Sequence, residues 1–193
     1  MINIALFASG NGTNAYRIMD YFQNHKEIKV VILLSNNPEA FALQRARSYK
    51  VEGKSFNRKT FYETNEIIDL LKDLDISFIA LAGFLWLIPD SMIAAYPNRI
   101  VNIHPALLPK YGGKGMYGIH VHQAVCDNRE SESGITIHYV NNEYDRGTII
   151  HQRKCSIESE DKPEDIAKKV LALEHSDYPK VIENIAKLSA KNS

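Results

Sequence analysis

Cysteine is scarce in this chain. Only Cys126 and Cys155 occur among 193 residues, with a single tryptophan. Two thiols do not make a disulfide framework, and such sparing use fits a reducing compartment, so the expected location is cytoplasmic. Charge of one sign is also missing: 23 basic and 23 acidic residues give a formal net charge of zero. That balance removes the electrostatic footprint of a nucleic-acid binder. No apolar run approaches the ~18–20 residues needed to span a bilayer. The opening "MINIALFASG" lacks the basic region of a secretory leader and reads as a strand. Repeats and low-complexity tracts are absent too. Neither nucleic acid nor membrane is therefore an expected partner. What remains is ordinary, 45% hydrophobic and 24% charged, enough chain for one domain with a sizeable core.

The apolar pattern alternates between short continuous runs and helical spacing. "INIALFA" (2–8), "IKVVILLS" (28–35), "SFIALAG" (77–83) and "RIVNIH" (99–104) read as strands, the continuous ones buried on both faces, with a weaker strand near 52–56. Between them, residues 12–24, a helix over 38–50 with Pro38 in its first turn, a helix over 61–74 and a helical turn at 89–96 complete the alternation. This order predicts an α/β fold: a Rossmann-like, mostly parallel sheet with right-handed crossovers. The pattern then changes. Residues 105–118 read as a long loop, and 118–128 as a short helix. Strands at 134–140 and 148–157 are joined by "NNEYDRG", too short for a crossover helix, so this C-terminal pair is expected to be antiparallel. A long helical segment over 162–191 ends the chain, with Pro179 expected to kink or split it.

"SGNGTN" (9–14) joins the first strand to the first helix. Gly10, Gly12 and Ala15 satisfy the loose dinucleotide pattern G-x-G-x-x-G/A. That reading needs an acid at the end of the second strand to hold a ribose diol. Ser35, Asn36 and Asn37 stand there instead, which argues against a dinucleotide. A simpler phosphate cradle survives: a helix N-terminus offers free N–H groups, and Thr13 and Asn14 add side-chain donors. The bland alternative is a tight turn with Thr13 as helix cap.

"NIHP" (102–105) places Asn102 and His104 two residues apart at a strand end, where side chains share a face. Pro105 cannot continue a central strand. Taken singly, His104 reads as a core histidine and Asp145 as a turn residue. Together they read differently. "NIHP-x-LLP", followed some forty residues later by "D-x-G", resembles the folate-dependent formyltransferases; "SGNGTN", "LAGF" (81–84), "GITIHYV" and "EYDRGTIIHQ" extend the resemblance in order to about Pro179.

The resemblance implies transfer of a formyl group from 10-formyltetrahydrofolate, as co-substrate, to the amine of glycinamide ribonucleotide, without a metal. It implies a catalytic set of Asn102, His104 and Asp145. Gly12, Thr13 and Asn14 would grip the substrate phosphate, and Glu174 its ribose hydroxyls. Leu85, Trp86, Leu87 and Ile88 would line the folate pocket, and Asn141, Asn142, Glu143, Tyr144 and Asp145 would face the pterin, with Asn102 beside them. His138 matches a family histidine near the catalytic set. A basic family position falls on Arg58 or Lys59. The chain is expected to be one domain, with residues 1–101 the nucleotide and phosphate half and 102–193 the catalytic and folate half, working as a monomer or weak homodimer.

The chemistry explains the residue types. An amine attacking a formamide carbon builds a negative oxygen, which needs donors aimed at it. The Asn102 amide and a protonated His104 are the expected donors, with Asp145 favouring the imidazolium and moving the proton. Several residues depart from the family. "KYGGKGMYGIHVHQ" is longer than the usual loop, so the family histidine cannot be assigned between His120 and His122, and the glycines suggest a flap over 112–122. Trp86 either stacks on folate or caps the core. Leu171 offers the phosphate no polar contact. Rival readings are a formyltetrahydrofolate hydrolase, a formyltransferase acting on tRNA, a metal cluster of His104, His120, His122, His138 and Cys126, and a non-catalytic nucleotide-binding module. The last explains the glycine turn but not the joint presence of Asn102, His104 and Asp145.

Overall fold

The computed structural model describes residues 1–191. Seven strands form one sheet: β1 (Ile2–Phe7), β2 (Ile28–Ser35), β3 (Glu52–Ser55), β4 (Ile76–Leu81), β5 (Ile100–His104), β6 (Glu132–Tyr139) and β7 (Ile149–Ser156). Their order is β3-β2-β1-β4-β5-β6-β7. The first five run parallel, while β6 is antiparallel to β5 and β7 to β6. The expected α/β class and the antiparallel C-terminal pair are both found.

Among the described residues seven helices cover the sheet: α1 (Thr13–Phe22), α2 (Phe41–Ser48), α3 (Arg58–Glu63), α4 (Glu66–Asp73), α5 (Asp90–Ala95), α6 (Ile119–Asp127) and α7 (Pro163–Lys191). The continuous apolar strands have a structural cause, since both faces are covered. In β1, Ile4 and Leu6 join a core with Ala15, Ile18, Met19 and Phe22 of α1 and with Ala42 and Ala46 of α2. Ala5 and Phe7 point the other way, to Phe61 of α3, Ile67, Ile68 and Leu71 of α4, and Met92 of α5. Each such fully buried large side chain contributes roughly 1.5–3 kcal/mol relative to exposure.

Two helix expectations need correction. The helix expected over 61–74 is two helices. Thr64 is extended (φ −131°, ψ 168°); its hydroxyl donates to the Thr60 carbonyl at 2.9 Å and accepts from the Glu66 N–H at 3.3 Å. A threonine that bonds the local backbone in this way competes with the helix ladder. The helix expected from Pro38 starts at Phe41. Asn37 Oδ1 accepts from the Glu39 N–H at 3.0 Å, its carbonyl accepts from Ala40 at 3.1 Å, and the resulting turn absorbs the proline. Pro179, expected to kink or split the last helix, lies inside an α7 that runs from Pro163 to Lys191. Tertiary bonds just before it hold the helix in place. Tyr178, fully buried, shares its hydroxyl between the carbonyls of Leu81 (2.8 Å) and Val101 (3.2 Å). Asp177 accepts from Arg153 at 2.7 Å and pairs with His151 at 2.8 Å on β7.

Among the described residues no helix is long and apolar enough to cross a membrane. The C-terminal ends of β4 and β5 and the N-terminus of α1 open into a single cleft of about 780 Å³, walled by residues of α6 and α7. In open α/β sheets that end of the strands is where ligands bind.

Candidate active site

Strand β5 sits between β4 and β6, so Asn102 lies beside Leu81 on one flank and His138 on the other. Asn102 and His104 both line the cleft, as period-2 geometry requires, and β5 ends at His104 before Pro105. The third member arrives from the β6–β7 loop. Its return depends on Gly147: a Cβ there would lie 1.6 Å from the Tyr139 carbonyl oxygen. That close approach is the physical reason for the glycine of "D-x-G". Asp145 itself has a positive φ of 55°, a region that asparagine and aspartate tolerate better than other non-glycine residues.

Asp145 is the hub. Its Oδ2 accepts from the Gly113 N–H at 2.9 Å and lies 3.4 Å from His104 Nδ1. Its Oδ1 accepts from Asn102 Nδ2 at 3.4 Å and lies 3.5 Å from His138 Nε2. Asn102 Nδ2 is also 3.3 Å from His138 Nε2. The Asn102 contacts are longer than the usual 2.7–3.2 Å, so the amide is held in place only weakly. Two backbone carbonyls fix the imidazoles. His104 Nε2–H donates to the Tyr111 carbonyl at 2.7 Å, and His138 Nδ1–H donates to its neighbour's carbonyl, Tyr139, at 2.8 Å. A carbonyl only accepts, so each of those nitrogens carries a proton. In His104 that leaves Nδ1, the nitrogen facing Asp145, as the one able to gain a proton.

Here the charge state expected of His104 is corrected. Burial pushes its pKa below the ordinary histidine value, and the opposing pull of Asp145 and the Tyr111 carbonyl does not make up the difference. His104 is 3% exposed, and desolvation disfavours the imidazolium. It rests neutral at pH 7. Asp145 behaves in the opposite way. Burial pushes its pKa up, yet the neighbouring His138 and His104 imidazoles and the Gly113 N–H together carry it below the usual carboxylate value. The result is an ionised carboxylate beside a neutral imidazole whose Nδ1 lone pair faces it.

A second polar pair stands elsewhere in the cleft. Asn14 Nδ2 donates to Glu174 Oε2 at 2.8 Å, and both residues line the opening. Burial pushes the Glu174 carboxyl up to about 7, with the Asn14 bond opposing. Gly12 caps α1 at φ 67° with no side-chain capping bond, so Thr13 is the first helical residue and not the cap. A Cβ on Gly12 would lie 2.5 Å from Ala42 Cβ, so the turn packs against α2. Gly12 and Thr13 do not form the cleft wall, and Asn14 does.

The remaining wall is apolar. Leu85, Trp86, Leu87 and Ile88 all line it, as do Asn141, Glu143 and Tyr144; Asn142 is exposed and lies off the wall. Trp86 also packs on Phe56, Phe61, Tyr62 and Phe84, with ring centroids 5.8–6.4 Å apart, so it caps the second core while also lining the cleft. Arg58 lies over the Trp86 and Tyr62 rings, its guanidinium carbon 5.6 and 5.0 Å from their centroids. Of the two histidines left open by the long loop, His122 is buried and lines the cleft, while His120 packs edge-on against Tyr117. Leu171 lines the cleft as an apolar residue. Sequence reasoning missed the Gly113 N–H and the Tyr111 carbonyl, because backbone groups carry no residue-type signal. Among the described residues no group of three or more His, Cys, Asp or Glu side chains is disposed to hold a metal ion.

A family model described as formyl transferase matches residues 2–182. The phosphoribosylglycinamide formyltransferase of Bacillus subtilis is 34% identical over 98% of this chain and 97% of its own. The chloroplastic phosphoribosylglycinamide formyltransferase of Arabidopsis thaliana is 40% identical over 93% of this chain, which spans 63% of the length of that relative. Among solved structures, the phosphoribosylglycinamide formyltransferase of Bacillus halodurans superposes with a TM-score of 0.85 at 34% identity, covering 99% of this chain and 97% of that one. The glycinamide ribonucleotide transformylase 1 of Symbiobacterium toebii gives 0.87 at 30% identity, covering 97% and 88%.

Proposed function

Because the chain belongs to the formyl transferase family, we propose that it transfers the formyl group of 10-formyltetrahydrofolate to the amine of glycinamide ribonucleotide, a step of purine synthesis. The observation that carries this reading is the convergence of Asn102, His104 and Asp145 in one cleft that also holds the Asn14–Glu174 pair. The cleft suits both substrates. Its apolar wall at Leu85–Ile88 fits a flat heteroaromatic ring, and the 141–144 loop beside it offers backbone groups for ring nitrogens and oxygens. Asn14 and Glu174 suit a phosphate and a ribose diol, with Gly12 and Thr13 supplying backbone N–H groups at the α1 N-terminus.

Residue roles follow from the charge states. As the amine attacks the formyl carbon, the carbonyl electron pair moves to oxygen, and the weakly held Asn102 amide re-aims its N–H at that charge. The amine must shed a proton. Asp145 and the bare Nδ1 of His104 share a 3.4 Å gap that a proton closes, so the pair accepts it, through a water or directly. His104 thus becomes cationic during the reaction, beside the developing oxyanion, while Asp145 holds it. The same proton then passes to the departing nitrogen as the old C–N bond breaks. No step calls on a metal.

The chain acts in this reading as one domain, monomeric or weakly dimeric, in the cytoplasm. Its two halves share the cleft: Asn14 and Leu85–Ile88 come from 1–101, and the catalytic set and Glu174 from 102–193. An absorbance assay for loss of the folate formyl group, run with and without glycinamide ribonucleotide, tests it. Product formed only with the ribonucleotide supports transfer; product formed equally without it replaces transfer with hydrolysis.

A further inference from the structure

The proposed reaction leaves a shortage of donors. His104 has its only proton on Nε2, committed to the Tyr111 carbonyl at 2.7 Å. His138 has Nδ1–H committed to Tyr139 at 2.8 Å. One imidazole in the cleft is committed to nothing. His122, on α6, is 6% exposed and lines the cleft with Asn102 and His104. Its Nδ1 is sealed from solvent and has no hydrogen-bond partner among the described residues. Its Nε2 likewise bonds to no described residue, and it is the nitrogen left open.

That asymmetry fixes the tautomer. A neutral imidazole carries one proton, on one nitrogen. Placing it on Nδ1 would bury an N–H without an acceptor, at full desolvation cost. Placing it on Nε2 leaves only a bare lone pair in the sealed position and turns the N–H toward the cleft. Burial, with the nearby His104 adding to it, disfavours the imidazolium. We propose that His122 is a further catalytic residue, a neutral donor whose Nε2–H bonds the formyl oxygen as negative charge builds on it. The proposal rests on the formyl-transfer reading above. It involves no proton transfer by His122: the bond strengthens in the transition state and the imidazole leaves unchanged. A neutral donor is pre-organised for the oxyanion and keeps its proton through the step.

Two measurements test it. In protein labelled with ¹⁵N-histidine, nitrogen shifts at pH 7.5 should give His122 as the Nε2–H tautomer with a bare Nδ1; an Nδ1–H tautomer or an imidazolium overturns the proposal. In kinetics, His122→Phe should lower kcat by roughly 10²-fold with KM for the ribonucleotide unchanged. His122→Gln, whose amide nitrogen sits near the Nε2 position, should recover most of that loss. A fully active His122→Phe, or a glutamine variant as poor as the phenylalanine one, overturns it. A wild-type protein without ribonucleotide-dependent transfer would instead defeat the formyl-transfer reading, whereas an active wild type beside a fully active His122→Phe defeats only this inference. The tautomer measurement uses the unsubstituted protein, so a variant that fails to fold does not remove the test.

Discussion

Asn14 Nδ2 donates to Glu174 Oε2 at 2.8 Å, bridging 160 positions of sequence and tying the first turn of α1 to α7. The bond does not offset the cost of burying the carboxylate, and the Glu174 pKa stands at about 7 against an ordinary 4.5. The native state therefore binds more protons than the unfolded state between those values, and its stability falls as pH rises from about 4.5 through about 7. Over that interval the loss is about 3 kcal/mol. Glu174→Gln should flatten this slope and be more stable than the parent above pH 7. Urea titrations at pH 5 and pH 8 check it; equal pH dependence in both proteins would exclude the buried carboxylate as the cause. The same change should weaken ribonucleotide binding, since an amide accepts less strongly than a carboxylate.

Gly12→Ala should destabilise the chain by roughly 1–3 kcal/mol. The new Cβ would meet Ala42 Cβ at 2.5 Å and Ala42 Cα at 2.9 Å, on a backbone whose φ is 67°. Adding Ala42→Gly should recover part of the loss. It removes the Cβ contact and leaves the contact with the residue 42 Cα and the left-handed strain in place. Thermal denaturation of the parent and the two variants measures both parts.

Asn102→Ala should lower turnover by ~10²–10³ with little change in melting temperature, because its two polar contacts are 3.3–3.4 Å long. Steady-state kinetics beside a melting curve separate the two effects. Turnover equal to the parent would remove Asn102 from the chemistry.

How far the sequence revealed this site depends on the kind of signal. Asn102 and His104 were legible because a strand has a two-residue period and proline ends it. The antiparallel β6–β7 pair was legible because its connection is too short for a helix. The break at Thr64 was not, since a threonine side chain bonding the Thr60 carbonyl looks in sequence like any polar helical residue. The charge of His104 was misjudged for a different reason. The partner, Asp145, was visible in sequence, but the burial that outweighs it is a tertiary property. Gly12 was legible as a turn leading into a helix, but its packing against Ala42, thirty residues on, was not. The resemblance to the formyltransferases supplied Glu174, which no local pattern singles out.

The account depends most on the negative charge of Asp145, and Asp145→Asn isolates it. Asparagine also tolerates the positive φ of 55° at this position and keeps the side-chain shape. It cannot hold the proton that His104 Nδ1 receives across the 3.4 Å gap. The decisive measurement is kcat for ribonucleotide-dependent formyl transfer by Asp145→Asn, with ribonucleotide affinity measured calorimetrically on the same sample. The expected result is a fall in kcat larger than that of Asn102→Ala, with affinity retained. Turnover within a few-fold of the parent would reduce Asp145 to a turn residue and contradict the mechanism.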